Sequence, residues 1–281
     1  ETEAVTPDGP GIHLMFTVWD ADTGRVLPVD AGAQIRVSRD GEPIDRRAPW
    51  PMISQTMGFH FGDNVPLTDD GTYTVDVSLN PIGVAKTGAF EGRFEDRTEA
   101  TFRFEYDDDV RRQLVEGVTY LDEDRWGREG AIEPMMRGRS GGTDGPGSSE
   151  SEPSMAYSAL PPADAYPGRR LGTSRSGDAT FVLRYLEDSR FVERGGYLLV
   201  SPRTPYNRVP LPDMALSISG TGEQELIQTI DDEVGLHYGA GVTLSAGDEL
   251  QLTVETPPQV ARHAGYETAF IDMEPITVDG V

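Results

Sequence analysis

GFHFGDNVPL at residues 58–67 and GLHYGAGVTL at residues 235–244 carry Gly, His, Gly, Val and Leu at the same five positions. The match runs on without a gap at an offset of 177, through Val77/Val254, Pro81/Pro258 and Gly88/Gly265. Self-similarity at a fixed offset marks a duplicated unit, so the chain reads as two copies of one domain. A length of 281 residues allows two such cores.

Around the first motif, short alternating runs at His13–Trp19, Gln34–Ser38, Ser54–Phe61, Tyr73–Leu79 and Ala100–Tyr106 are separated by turn residues such as Asp22-Thr23-Gly24, Asp40-Gly41 and Asp69-Asp70-Gly71. Alternation at period two with hairpin punctuation predicts a β-sandwich. Around the second motif the runs are Thr180–Leu186, Tyr197–Ser201, Ala215–Ser219, Leu226–Ile230, Glu249–Glu255 and Phe270–Val278. The fold class is therefore all-β, two tandem sandwiches. Asp108–Val118, with Val110, Leu114 and Val118 on one face behind an aspartate cap, is the one helical pattern. Residues 1–10 read as a solvated tether, 11–106 as the first sandwich, 107–176 as helix and flexible linker, and 177–281 as a second, degenerate sandwich. The linker includes Arg137–Ser151, which offers almost nothing to bury.

Acidic residues outnumber basic ones 48 to 24, a formal charge of −24, and this excludes a protein that reads a nucleic-acid backbone. Lys86 is the single lysine among those 24 basic residues, and an acidic surface nearly stripped of lysine is the composition of a protein from a salty environment. The acidic runs at Asp107–Asp109, 121–124 and 230–233 read as that solvated surface rather than as cation sites. Without cysteine there can be no disulfide, zinc–thiolate site or iron–sulfur cluster. No nucleophile elbow, phosphate loop, dinucleotide fingerprint or HExxH motif occurs, so the chain does not read as an enzyme, although a redox role on iron or copper stays open. The first residue is Glu1 and no apolar run spans a bilayer, which predicts an extracytoplasmic protein anchored through a removed N-terminal segment.

Four histidines remain: His13, His60, His237 and His263. His60 aligns with His237, whereas His263 aligns with Lys86 and His13 is set against Ala179. Strand alternation puts His13 and Met15 on one face, and Met52, Met57 and His60 arrive from the next hairpin. Imidazole with thioether suits a soft or borderline ion, copper above all. The competing reading is ordinary, with methionines filling core and histidines satisfying turns. Met135-Met136 reads as a loop anchor.

Pro51-Met52, Gly58-Phe59-His60-Phe61-Gly62, Gly71-Thr72-Tyr73-Thr74-Val75, Asn80-Pro81 and an opening Ile12-His13-Leu14 resemble the bacterial periplasmic iron-transport auxiliary proteins, whose pattern is Pro-Met, His-Tyr-Gly and Gly-x-Tyr-x-Val. The resemblance covers residues 11–106 well and 235–278 faintly. It implies an immunoglobulin-like or cupredoxin-like sandwich that binds copper and assists ferrous-iron uptake beside a membrane iron permease. It further implies that His13, Met52 and His60 are metal ligands, with Met15 and Met57 accessory, and that His263, after Pro257-Pro258, stands for a histidine which in the family comes from the dimer partner. The fused chain would then be a monomeric pseudo-dimer with one composite site from His13, Met52, His60 and His263. The twin, drawn from Ala179, His237 and Lys86, would be degenerate. Met15 stands where the family has glutamate, and the Met-to-His spacing is one residue longer. The alternative is a structural or adhesive cell-surface tandem with a vestigial site.

Overall fold

The computed structural model describes residues 3–6, 11–117, 121–126, 128, 131, 158–187, 189–220, 222–263 and 270–278. Turn chemistry divides the N-terminal half into β1 (Gly11–Phe16), β2 (Gln34–Arg39), β3 (Glu42–Arg47), β4 (Trp50–Ser54), β5 (Gly58–Pro66), β6 (Gly71–Leu79), β7 (Ala85–Thr87) and β8 (Thr98–Tyr106). Asp40 and Gly41, with φ of 50° and 90°, form the two-residue turn that joins β2 to β3. The single strand expected over Ser54–Phe61 is instead a hairpin. Residues 55–57 turn the chain because the Ser54 hydroxyl accepts the Met57 N–H at 3.0 Å and Gly58 takes a left-handed φ of 69°. After β8 comes α1 (Asp108–Glu116), whose N-cap Asp107 accepts the Val110 N–H at 2.9 Å.

The C-terminal half holds β9 (Arg169–Ser176), β10 (Ala179–Leu186), β11 (Gly196–Arg203), β12 (Ala215–Ser219), β13 (Gln224–Asp231), β14 (His237–Val242), β15 (Leu250–Thr256), β16 (Ala261–Arg262) and β17 (Ile276–Val278). Of the run expected at Phe270–Val278, only the last three residues are strand. The expected linker also ends earlier than residue 176. Leu160 and Tyr166 are buried, the Ser158 hydroxyl accepts the Phe59 N–H at 2.6 Å, and β9 occupies residues 169–176. The carbonyls of this proline-bearing stretch are taken up by arginines: Arg203 donates to Pro161 O at 2.6 Å and Arg208 to Leu160 O at 2.9 Å. Met135-Met136, the expected tether's Pro7–Pro10 and most of the expected linker lie outside the described residues. No helix among the described residues is long and apolar enough to cross a membrane.

Strands of the N-terminal half form the four-stranded sheet β3-β2-β6-β8 and three strands of a second, β1-β5-β4-β16, whose fourth strand comes from the C-terminal half. In the C-terminal half β9-β10-β11-β14-β13 and β13-β12-β15-β17 join in one sheet, because β13 pairs β12 through Gln224–Leu226 and β14 through Ile227–Thr229. The N-terminal half covers the same two roles with two separate strands, β3 and β4. Two very short strands cross between the halves. β16 lies parallel to β4, with Ala261 opposite Met52, and β7 lies parallel to β13, with Ala85 opposite Thr229. The hydrophobic core is continuous across this junction: Ile53, Phe59 and Phe61 belong to the same buried cluster as Phe181, Leu198 and Tyr238. Strand exchange and a shared core fix the two halves on each other, and this sets the geometry of the site below.

Candidate metal centre

Ile12, Leu14 and Phe16 of β1 pack on core, so alternation turns His13 and Met15 to the opposite face of the sheet. In β5 the core positions are Phe59 and Phe61, which sends His60 and Gly62 to that same face. Register completes the row. His13 faces Asn64, Met15 faces Gly62, Met52 faces His60, and Ala261 faces Met52. His263 follows two residues after Ala261. Each of the four adjacent strands, or the residue just past it, therefore contributes one donor: His13 from β1, His60 from β5, Met52 from β4 and His263 after β16.

The imidazoles meet. Ring centroids of His13 and His263 are 5.2 Å apart, and those of His60 and His263 are 6.2 Å apart. With a metal–nitrogen distance near 2.0–2.1 Å, two imidazoles on a tetrahedral ion have centroids about 5 Å apart, so the first pair already fits and the second is about 1 Å too open. Correspondingly, no three His, Asp or Glu side chains among the described residues are gathered tightly enough to hold an ion by themselves. The fourth donor is a thioether, which a cluster of His, Asp and Glu alone does not include, and a small rotation of His60 or His263 closes the gap.

Tautomer selection is built in. His13 Nδ1 donates to Asn64 Oδ1 at 2.9 Å and His60 Nδ1 donates to Gly58 O at 3.1 Å. Both Nε2 atoms are then bare lone pairs, and both are buried with no hydrogen-bond partner. An orphaned acceptor in a buried position costs free energy unless something binds it, and an oriented imidazole with its far nitrogen held by oxygen is the usual arrangement at a metal. Burial pulls the His60 pKa down to about 4, opposed by the Gly58 carbonyl and aided by His263 and His13. Burial, then the neighbouring His13, also lowers that of His263. The floor of the cluster is Gly62, where a Cβ would stand 2.8 Å from Met52 Sδ and 3.0 Å from His13 Nε2. Met52 Sδ and His13 Nε2 thus lie side by side directly over Gly62, an approach that only the missing Cβ permits.

Of the accessory candidates, Met15 shares the face and is 36% exposed at the rim, beside Trp50, which also pairs with Gly62. Met57 is buried in the 55–57 turn, outside the four-strand row.

The matching place in the C-terminal half is built from other residues than the alignment gives. Gly235 has φ of 74°, and His237 Nδ1 donates to its carbonyl at 3.1 Å, the same local device as Gly58 and His60. Thr229 faces His237 as Met52 faces His60, and Tyr197 faces Gly241 as His13 faces Asn64. Tyr197, not Ala179, therefore occupies the position of His13. On β7, which pairs β13 as β16 pairs β4, Thr87 rather than Lys86 stands in the place of His263, and its hydroxyl donates to Asp231 at 2.7 Å. A Cβ on Gly239 would meet the Tyr197 hydroxyl and ring at 2.2 Å, so the phenol lies over Gly239 where Met52 Sδ and His13 Nε2 lie over Gly62. Its hydroxyl donates to His237 Nε2 at 3.1 Å, and Phe191 packs on both rings. The twin is closed by a hydrogen-bonded aromatic plug.

Residues 164–279 match a family model described as a domain of unknown function, DUF7350. No curated protein sequence matches the chain. Among solved structures, a copper-bound variant of FetP from uropathogenic Escherichia coli strain F11 is similar at 12% identity over 41% of this chain and 96% of that one, with a TM-score of 0.31. FetP of the same strain as isolated gives 13% over 41% and 97%, with a TM-score of 0.32. The copper-reconstituted P19 protein from Campylobacter jejuni gives 18% over 40% and 92%, with a TM-score of 0.30.

Proposed function

We propose that the protein binds one copper ion per chain, held by His13, Met52, His60 and His263. The observation that carries this reading is the pair of buried, partnerless Nε2 lone pairs of His13 and His60, on the sheet face where Met52 Sδ and His13 Nε2 lie side by side over Gly62. Three neutral nitrogens and a thioether, with no carboxylate or thiolate, suit the soft reduced ion better than ferrous iron or manganese. One site per chain follows from the plugged twin. The resemblance of residues 11–106 to iron-transport auxiliary proteins supports an extracytoplasmic setting, a role beside ferrous-iron uptake and a membrane permease as partner. The ungapped match of the two halves at an offset of 177 supports their descent from one duplicated unit.

Titration of the purified chain with copper(I) under reducing conditions, against a colorimetric chelator, should give one equivalent bound. Two equivalents would contradict the plugged twin. Affinity weaker than about millimolar, some 4 kcal/mol of binding free energy, would leave the structural, adhesive reading in its place.

Gly62→Ala is the sharpest small change. Gly62 lies in an extended strand, so alanine adopts its backbone, and the new methyl must push Met52 Sδ and His13 Nε2 out of place. Copper affinity should fall at least about tenfold while far-UV circular dichroism and the thermal midpoint stay close to those of the parent. Unchanged affinity would place the ion elsewhere.

A further inference from the structure

The first sandwich ends in an open edge. Among the described residues β8 is bonded on one side only, to β6, and seven of its nine residues are exposed. Phe102, 54% exposed, lies on this edge with its apolar neighbour Ala100. A long, flat, partly apolar edge is a template for pairing with another strand unless charge prevents it.

Here the charges choose a partner. Residues 97–105 read Arg-Thr-Glu-Ala-Thr-Phe-Arg-Phe-Glu. Two copies of β8, antiparallel and in one continuous sheet, must pair residues of the same face, so allowed registers differ by two residues. Centred on Thr101, the register sets Glu99 against Arg103, Arg97 against Glu105 and Phe102 against Ala100, each twice by symmetry. Moved one step toward the N-terminus, Arg97 meets Arg103. Moved one step the other way, Glu99 meets Glu105. Opposite charges directly across strands stabilise and like charges destabilise, so only one of these three registers is favoured. Among the described residues Arg103 forms no ion pair, whereas Glu99 already lies 3.1 Å from Arg97.

We propose that β8 is the interface through which two copies of this chain join, in the register centred on Thr101, making a continuous eight-stranded sheet from the two β3-β2-β6-β8 sheets. The contact lies on the sheet opposite the one that carries the metal cluster, so it does not depend on metal. Phe102 supplies the apolar burial, and the self-complementary charges supply register and specificity.

The test is light scattering on the full chain across a dilution series, in salt sufficient to screen the −24 charge of each copy. A concentration-dependent dimer is expected. Arg103→Glu turns two attractions into two repulsions and should raise the dimer dissociation constant at least about tenfold. Adding Glu99→Arg restores opposite charges with the order reversed, and should recover dimerisation. Both substitutions are exposed, so matching circular dichroism checks that the fold is intact. A monomer at all concentrations, a dimer indifferent to Arg103→Glu, or a double variant that stays dissociated would each overturn the proposal.

Discussion

His60→Ala and His263→Ala should each weaken copper(I) binding about a hundredfold or more, whereas His237→Ala should leave it unchanged. Structural sites of four ligands bind with about 10–16 kcal/mol, so one ligand is worth roughly 3 kcal/mol, or somewhat over a hundredfold. His60 and His237 are equally buried and share the Gly-carbonyl device, and they differ at Nε2, which has no hydrogen-bond partner in the first and accepts from a phenol in the second. The His263 variant carries a second readout. His263 follows β16, whereas His13, Met52 and His60 sit in the N-terminal sandwich, so bound metal clamps the exchanged strand to its host sheet. Saturating copper at about a thousand times the dissociation constant should stabilise the parent by about 4 kcal/mol, and His263→Ala should lose most of that gain in thermal midpoint. Equal loss in His237→Ala and His60→Ala would mean that burial, not ligation, is being measured.

The metal-free protein should unfold far more readily in acid than its carboxylates alone would cause. Burial lowers both His60 and His237 to about 4 from an unfolded value near 6.5. Between those limits the unfolded chain binds protons that the folded chain does not, so stability is intact above about pH 6.5 and drains away as pH falls toward 4. At 1.36 kcal/mol per unit, each histidine removes about 3 kcal/mol, which together is a large share of the 5–15 kcal/mol typical of a fold. Denaturant unfolding at a series of pH values should show this slope. His237→Gln, which keeps polar atoms to meet Gly235 O and the Tyr197 hydroxyl, should flatten it by about 3 kcal/mol between pH 7 and 4. An unaltered slope would show that His237 is not the proton acceptor. Copper should raise the stability at neutral pH without flattening this slope, because the slope comes from protons taken up by the unfolded histidines while metal keeps the folded ones unprotonated.

Much of this architecture is written locally. Ala215–Ser219 is a strand with the bounds its alternation predicts, Asp107 caps the helix that its spacing predicts, and Asp40-Gly41 makes its turn, because each depends on neighbours within a few residues. The pairing of His60 with its own Gly58 carbonyl, repeated at His237 and Gly235, is equally local, which is why the Gly-x-His-x-Gly motif is visible as a repeat. The residue types of the cluster were readable too, since with no cysteine and four histidines the chain has few other soft donors.

Only tertiary structure decided where those donors go. β16 is two residues and β7 three, too short to leave a periodic signal, yet they carry His263 to His13 and Thr87 to Asp231 because each half completes its sheet with a strand of the other. Tyr197 as the counterpart of His13 follows from pairing register through Gly241 and Asn64, which the gapless alignment around the motif does not constrain farther upstream. The segment ahead of β9 looks like linker because its side chains are small and its prolines many. It is held by arginines of β11 and the turn after it, and a sequence read in windows cannot anticipate partners that arrive from more than forty residues away.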